Sequence, residues 1–269
     1  MTEGAPSRLS AFVRAIGVLG PGLRDWPSAA AVLAGGEPYT PAPTEMPTPV
    51  TLPPAERRRV GATVRLALSA AQQALAATDL DVAQLATVFA ASGGDGAICH
   101  EFCATLASSD RQISPTRFHN SVHNAASGYW SIAMRSTAPS TALSAYDGSF
   151  AAGLLEALAQ LTVRAAPVLL VSYDGTYPEP LHAKRPIAAA FACALLLAPR
   201  PETGTCARIE AALVQAPGDT LEDKPLESLR RGVPAARSLP LLRQLASGER
   251  GRVVIDYLAG LQLALEVVP

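Results

Sequence analysis

Histidine and cysteine are both scarce, with four of each in 269 residues. The cysteines, Cys99, Cys103, Cys193 and Cys206, lack the dense, even spacing of an extracellular disulfide framework, so reduced thiols in a cytoplasmic protein are expected. No basic excess exists either: 22 Lys+Arg stand against 23 Asp+Glu, a net charge of -1. A dedicated nucleic-acid or anionic-membrane binder would need such an excess to hold phosphates, and both classes are excluded. The longest apolar run, PIAAAFACALLLAP from Pro186 to Pro199, falls short of the ~20 residues that span a bilayer. The opening MTEGAPSRLSAFV has no basic stretch followed by an apolar one, so no secretory leader is expected. Charged residues are only 17% of the chain and hydrophobic residues 49%, enough apolar surface to exclude a disordered protein.

Proline is abundant, at 23 residues, and it clusters: seven of the seventeen positions from Pro38 to Pro54 are proline. Such a stretch cannot donate backbone hydrogen bonds regularly and reads as an extended surface loop. Around it the periodicities alternate. LSAFVRAIGVLG has strand character and reads as an edge strand, closed by Gly20-Pro21-Gly22. Asp25 caps a short helix that Gly35-Gly36 stops. From Glu56 to Ala77 apolar residues at Val60, Val64, Leu68, Ala71 and Leu75 recur at helical spacing. ATVFAAS (86–92), TALSAY (141–146), PVLLVSY (167–173) and AAAFACALLLA (188–198) read as strands, and a small-residue helix runs from Gly148 to about Val163. Strands apolar on both faces and interleaved with helices imply a covered, mostly parallel sheet. Beyond Pro199, ARIEAALVQA reads as a strand, LESLRRG and LPLLRQLASG as short helices, and GRVVIDYLAGLQLALEVVP as a strand pair. No internal repeat and no long linker divides the chain.

Residues 114–157 carry the most specific pattern: SPTRFHNSVHNAASGYWSIAMRSTAPSTALSAYDGSFAAGLLEA. A Ser-Pro entry, Phe118, Asn124 and Gly128 lead to a short helix, then to Pro139-Ser140, a strand, and a sharp turn into a small-residue helix. This order resembles the N-terminal half of β-ketoacyl synthases of the thiolase fold, and RRRVGATVRLALSAAQQAL upstream resembles that family's arginine-led helix. The resemblance spans about Leu9 to Pro199. More narrowly, FHNSVHNAASGYWSIA and STALSAYDGSFAAGLLEAL are similar to the truncated ketosynthase-like proteins of aryl polyene clusters, regarded as chain-length factors that pair with a full-length ketosynthase.

The resemblance implies a single α/β thiolase-like domain over 1–269, layered about a covered, mixed central sheet, with a ketosynthase N-terminal-like part (1–199) and a reduced C-terminal part (200–269). In an active member the strand after Pro-Ser ends in a nucleophilic cysteine at a helix N-terminus, where backbone N–H groups favour a thiolate. Counted without gaps from Pro139, that place falls on Asp147; anchored on Gly148 it falls on Ala145. Asp147 would then serve as N-cap of the following helix, or as an anion shaping a vestigial acyl pocket. Active members also carry two histidines in their C-terminal half. Here His100, His119, His123 and His182 all precede Pro199. Without nucleophile and oxyanion support, condensation has no machinery, and a non-catalytic subunit is expected. Its implied partners are a full-length β-ketoacyl synthase and, indirectly, acyl carrier protein. No cofactor is implied. Phe118, His119, His123, Asn124, Tyr129, Trp130, Ser144, Tyr146 and Asp147 are the residues expected near the pocket or interface, and the strand 141–146 near the two-fold.

Other constellations weigh less. His119 and His123 would share a helix face as a metal pair, yet no third ligand is evident. Cys99-His100-x-x-Cys103 reads as buried thiols beside a helix. Gly93-Gly94-Asp95-Gly96 lacks the spacing of a phosphate loop, and GxSxG is absent. Tyr129-Trp130 fits core packing as well as a pocket. Two rival functions stay open: an acyl-thioester hydrolase or acyltransferase using Ser144, Asp147 or His123, and a homodimeric acyl-binding protein.

Overall fold

The computed structural model describes residues 9–76, 78–187 and 189–269. The readings of the first eight residues, of Ala77 and of Ala188 lie outside the described residues. Eight strands form one sheet: β1 (Leu9–Leu19), β2 (Ala86–Ala90), β3 (Ser140–Leu143), β4 (Val168–Asp174), β5 (Phe191–Ala198), β6 (Ala207–Val214), β7 (Gly251–Leu258) and β8 (Leu261–Val268), in the order β3-β2-β4-β5-β1-β6-β8-β7. The helices are α1 (Trp26–Leu33), α2 (Pro54–Arg59), α3 (Ala62–Leu75), α4 (Gly96–Ala107), α5 (Pro115–Asn120), α6 (Ala125–Met134), α7 (Ser149–Arg164), α8 (Leu181–Lys184), α9 (Lys224–Gly232) and α10 (Leu239–Ser247).

Why the central strands are apolar throughout follows from the layers. Every residue of β4 and β5 is buried. Val168, Leu170, Cys193, Leu195 and Leu197 pack on one face with α7, α9 and α10. Leu169, Val171, Ala192, Ala194 and Leu196 pack on the other with α3 and α6. Side chains alternate across a strand, so a strand covered on both sides must be hydrophobic at every position. Helix α7 sits tight on the sheet because Gly153 has no side chain; a Cβ there would crowd the Ala90 Cβ.

Three expectations are corrected. β1 is central, between β5 and β6. Its alternating character suggested an edge; the one charged side chain within it, Arg14, is nearly buried and paired with Asp79 and Glu202, each at 2.7 Å. The sheet is not mostly parallel: β2 runs parallel to β3 and β4, and the other five pairings are antiparallel. The helix expected from Glu56 onward is two helices, broken where Val60 turns extended and Gly61 precedes α3. Asn120 Nδ2 donates to the Arg59 carbonyl at 2.7 Å, satisfying a group the break exposes.

The remaining elements fall close to expectation. Asp25 caps α1 through the Ser28 N–H at 2.8 Å. The 38–53 stretch forms no helix or strand and is tied down by Thr44 Oγ1 donating to the Ala190 carbonyl and by Arg57 donating to the Val50 and Leu52 carbonyls. After residue 199 the chain builds no second sheet. It adds β6, β8 and β7 to the first, while α9 and α10 pack on the face that holds α7.

Candidate functional site

The site lies where β3 turns into α7. β3 ends at Leu143, and Ser144 to Gly148 make the turn. Tyr146 takes φ +53°, a left-handed conformation that costs an L-residue energy and persists only where surroundings enforce it. The enforcing contacts come from within the turn, from Ser92 and from β7. Ser149 Oγ accepts from the Ala145 N–H at 2.9 Å and lies 2.7 Å from the Tyr146 carbonyl. Ser144 Oγ donates to the Ser92 carbonyl at 3.0 Å. Gly148 lies so close to β7 that a Cβ would overlap the Tyr257 carbonyl.

Asp147 does not cap α7. Gly148 occupies the N-cap position and no side chain caps it. The carboxylate instead accepts from Arg185 on Oδ1 and from Arg237 on Oδ2, each at 3.0 Å. The Arg185 guanidinium also lies 3.6 Å above the centre of the Tyr146 ring, a cation–π contact. The charges continue: Arg237 reaches Asp256 at 4.0 Å, Asp256 pairs with Arg230 at 2.6 Å, and Arg230 with Glu227 at 2.7 Å. An ion chain therefore runs from the turn through the C-terminal segment, and it fixes the turn from outside the motif.

Beneath the turn lies a buried carboxylate. Asp174, at the end of β4, accepts from Ser92 N–H at 2.9 Å, Ser92 Oγ at 2.6 Å and Ala235 N–H at 2.7 Å. Burial pushes its pKa up to about 6, and the three donated hydrogen bonds hold the shift back. Ser92 thus links Asp174 to Ser144, and Ala235 ties the C-terminal part to the same spot.

Chemically, the turn holds no thiol. Tyr146 occupies the strained position, Ala145 and Asp147 flank it, and Asp147 is held by two guanidinium groups. Of the other expected residues, Phe118 is 63% exposed and stacks on Phe102 with ring centres 6.4 Å apart. His119 is exposed and packs edge-on against Tyr129. α5 ends at Asn120, so His119 and His123 do not share a helix as a metal pair. Asn124 precedes α6 without a side-chain cap bond. Tyr129 and Trp130 are core residues, 2% and 0% exposed, so neither meets a partner as an exposed contact. Tyr129 does line a shallow cleft with His119, Glu56, Arg59 and Ile132, and its hydroxyl donates to Asn120 Oδ1 at 2.8 Å. Cys99 and Cys103 are exposed rather than buried. Asp95 caps α4, accepting from the Ala97 and Ile98 N–H groups. Arg185, Arg237, Asp174 and Asp256 were missed by sequence reasoning. The arginines stand 38 and 90 residues from Asp147, and no local motif announces such partners.

The two sheet edges differ. On the outer edge of β7 one residue is capped: Asp219 N–H donates to the Val254 carbonyl at 2.8 Å, and Asp219 Oδ2 accepts from Val254 N–H at 2.9 Å. Four-residue β3 pairs with β2 alone. An edge left open is a template for pairing. α6, which packs beside β3, carries Ile132 at 42% exposed; Phe118 on α5, Leu106 on α4 and Val122 between α5 and α6 are exposed as well. No helix among the described residues is long and apolar enough to cross a membrane.

A layered α/β chain with a mixed sheet and a strained strand-to-helix turn fits the thiolase-like fold of ketosynthases. The family described as beta-ketoacyl synthase, N-terminal domain, matches residues 30–254, and the chain belongs to it. No curated protein matches the sequence. Among solved structures, a chain of the ketosynthase ApeO in complex with its chain length factor ApeC from Xenorhabdus doucetiae is similar at a TM-score of 0.73 and 24% identity, over 96% of this chain and 99% of that one. The ishigamide ketosynthase/chain length factor is similar at 0.70 and 15%, over 96% and 99%. A beta-ketoacyl synthase from Burkholderia phymatum STM815 follows at 0.66 and 12%, over 97% and 99%. At these identities the likeness establishes the fold.

Proposed function

We propose that this chain is a non-catalytic ketosynthase-like subunit, a chain length factor, that pairs with an active β-ketoacyl synthase in polyene or polyketide chain elongation. The observation that carries this is the turn itself. At the turn where the resemblance puts an active member's thiolate, at Asp147 or Ala145, the chain has no cysteine: Tyr146 between them is strained and Asp147 is bound by Arg185 and Arg237. A carboxylate is a poor acyl acceptor, because the anhydride it would form is uphill of a thioester. No histidine follows His182, so the C-terminal part offers no imidazole to hold a thioester oxyanion.

The asymmetric edges support a partner. At β7 Asp219 bonds both backbone groups of Val254, whereas β3 pairs with β2 alone and the neighbouring α6 exposes Ile132. Two similar structures pair a ketosynthase with a chain length factor, and a third is an acyl-carrier protein in complex with its ketosynthase bound to a hexaketide. On this proposal the partner carries the condensing residues and receives the chain from acyl carrier protein, Phe118 and Tyr146 approach the interface, and the complex is cytoplasmic.

The test is turnover with malonyl- and acyl-loaded carrier protein. The isolated chain should release no carbon dioxide and form no β-ketoacyl product, and adding the ketosynthase should give both. Thioester cleavage by the chain alone, lost in Asp147→Asn or His123→Ala, would overturn the proposal in favour of a rebuilt hydrolase.

A further inference from the structure

Cys99 and Cys103 sit one helical turn apart on α4, and both are exposed. None of the functional reading above uses them. On an ideal helix, residues four apart have Cα atoms about 6 Å apart, inside the range of roughly 4.4–6.8 Å that a disulfide bridges. Their Cβ atoms, about 5–6 Å apart on a regular helix, would have to close to about 3.8 Å. The helical turn between them must therefore loosen.

Little resists that change. Gly96 is the one buried residue of α4, so distorting its middle disturbs no large core contact. What α4 does carry lies between and beside the thiols. Phe102 stacks on Phe118 of α5, and Glu101 pairs with Arg117 of α5 at 2.6 Å. These contacts hold α5 and the exposed apolar face against α4.

We propose that Cys99 and Cys103 form a modification site, a thiol pair that small-molecule disulfides oxidise to an intrahelical disulfide, and that this loosens α4 and weakens docking of the ketosynthase partner. The docking half rests on the function proposed above. With oxidised glutathione, one cysteine thiolate attacks a glutathione sulfur and releases one glutathione thiolate. The second cysteine thiolate then attacks the protein sulfur of that mixed disulfide and releases the other. Two thiol protons pass to the two departing glutathiones, and the protein dithiol is oxidised by the electron pair that reduces the glutathione disulfide. The Cys99 thiol is held above its ordinary range, by burial first and by Cys103 second. Oxidation should accordingly quicken as pH rises, since the thiolate is the attacking form.

Cys193 is fully buried and Cys206 exposed, so the experiment uses the full chain carrying Cys206→Ser. The chain is oxidised alone with oxidised glutathione and freed of reagent, then analysed by peptide mass and by amide hydrogen exchange. Only afterwards is it titrated with reduced ketosynthase. Expected are a Cys99–Cys103 peptide lacking two hydrogens, faster exchange across α4, about tenfold weaker partner binding (roughly 1.4 kcal/mol) and full reversal by dithiothreitol. Adding Cys99→Ser should abolish all of these. Glutathione adducts without an internal disulfide, or a disulfide that leaves α4 exchange unchanged, would overturn the redox half on the chain alone. An oxidised, loosened chain that binds ketosynthase as tightly as the reduced one would overturn the regulatory half. A reduced chain that never binds ketosynthase refutes the proposed function instead, while the mass and exchange results still decide the thiol chemistry.

Discussion

Replacing Asp147 by alanine removes the carboxylate on which Arg185 and Arg237 converge, each at 3.0 Å. The arginine side chains are 18% and 21% exposed, so neither can fully rehydrate, and they are left facing each other. An exposed ion pair contributes about 0.2–1 kcal/mol, and breaking a buried one costs about 3–5 kcal/mol. Two pairs of intermediate burial place the loss at roughly 2 kcal/mol. For a domain of this size, 1 kcal/mol shifts Tm by about 2–4 °C, so thermal unfolding should fall by about 4–8 °C. Adding Arg237→Ala to Asp147→Ala should restore part of that loss, because the stranded guanidinium goes with it. Calorimetry with guanidinium titration of the four members of this cycle reads the coupling directly. A drop under about 0.5 kcal/mol, or strictly additive single variants, would refute the claim that this carboxylate anchors the turn.

Other outcomes follow from the same contacts. Gly148→Ala drives a methyl group into the Tyr257 carbonyl and should destabilise by about 1–3 kcal/mol, as overpacking does, seen as a lower urea midpoint. Trp130→Ala, at a fully buried ring against Phe89, should cost about 3–5 kcal/mol in the same assay. Asp174 has a folded pKa of about 6 against an ordinary 3.8, so the folded state binds its proton more tightly. Its contribution is therefore fully present below the lower value and lost as pH rises through the upper one, a span on the order of 3 kcal/mol. The difference in unfolding free energy between the wild-type chain and Asp174→Asn should therefore decline as pH rises across that window. The Pro139 and Leu143 carbonyls both serve β2, so Ala142, alternate to them, directs its N–H to the open side. Ala142→Pro should leave the fold intact by circular dichroism yet abolish association with ketosynthase in a pull-down.

How far the sequence reached depends on the range of the forces involved. Asp25 capping α1 and the 251–268 strand pair rest on neighbours a few residues apart, and local chemistry announced them. The two-faced apolar character of β4 and β5 announced a covered sheet, because burial on both sides leaves no other composition. Strand direction did not show, since an apolar strand looks alike in parallel and antiparallel company. β1 reads as an edge from its alternation, yet it is central, and its polar Arg14 is matched there by Asp79 and Glu202. Asp147 beside a helix start suggested a cap, but two arginines from distant segments compete for it and outmatch one backbone N–H. The strain at Tyr146 likewise comes from Gly148 being pressed against Tyr257, a contact set by the C-terminal part where the resemblance fades.

The central claim is that this chain lacks a catalytic turn of its own and exists to complete a ketosynthase. Light scattering on size-exclusion peaks, for the chain alone and co-expressed with a full-length ketosynthase, tests it most directly. The account predicts a one-to-one complex, with the chain aggregating or insoluble when its β3 edge has no partner. A well-behaved homodimer that ignores the ketosynthase would contradict it.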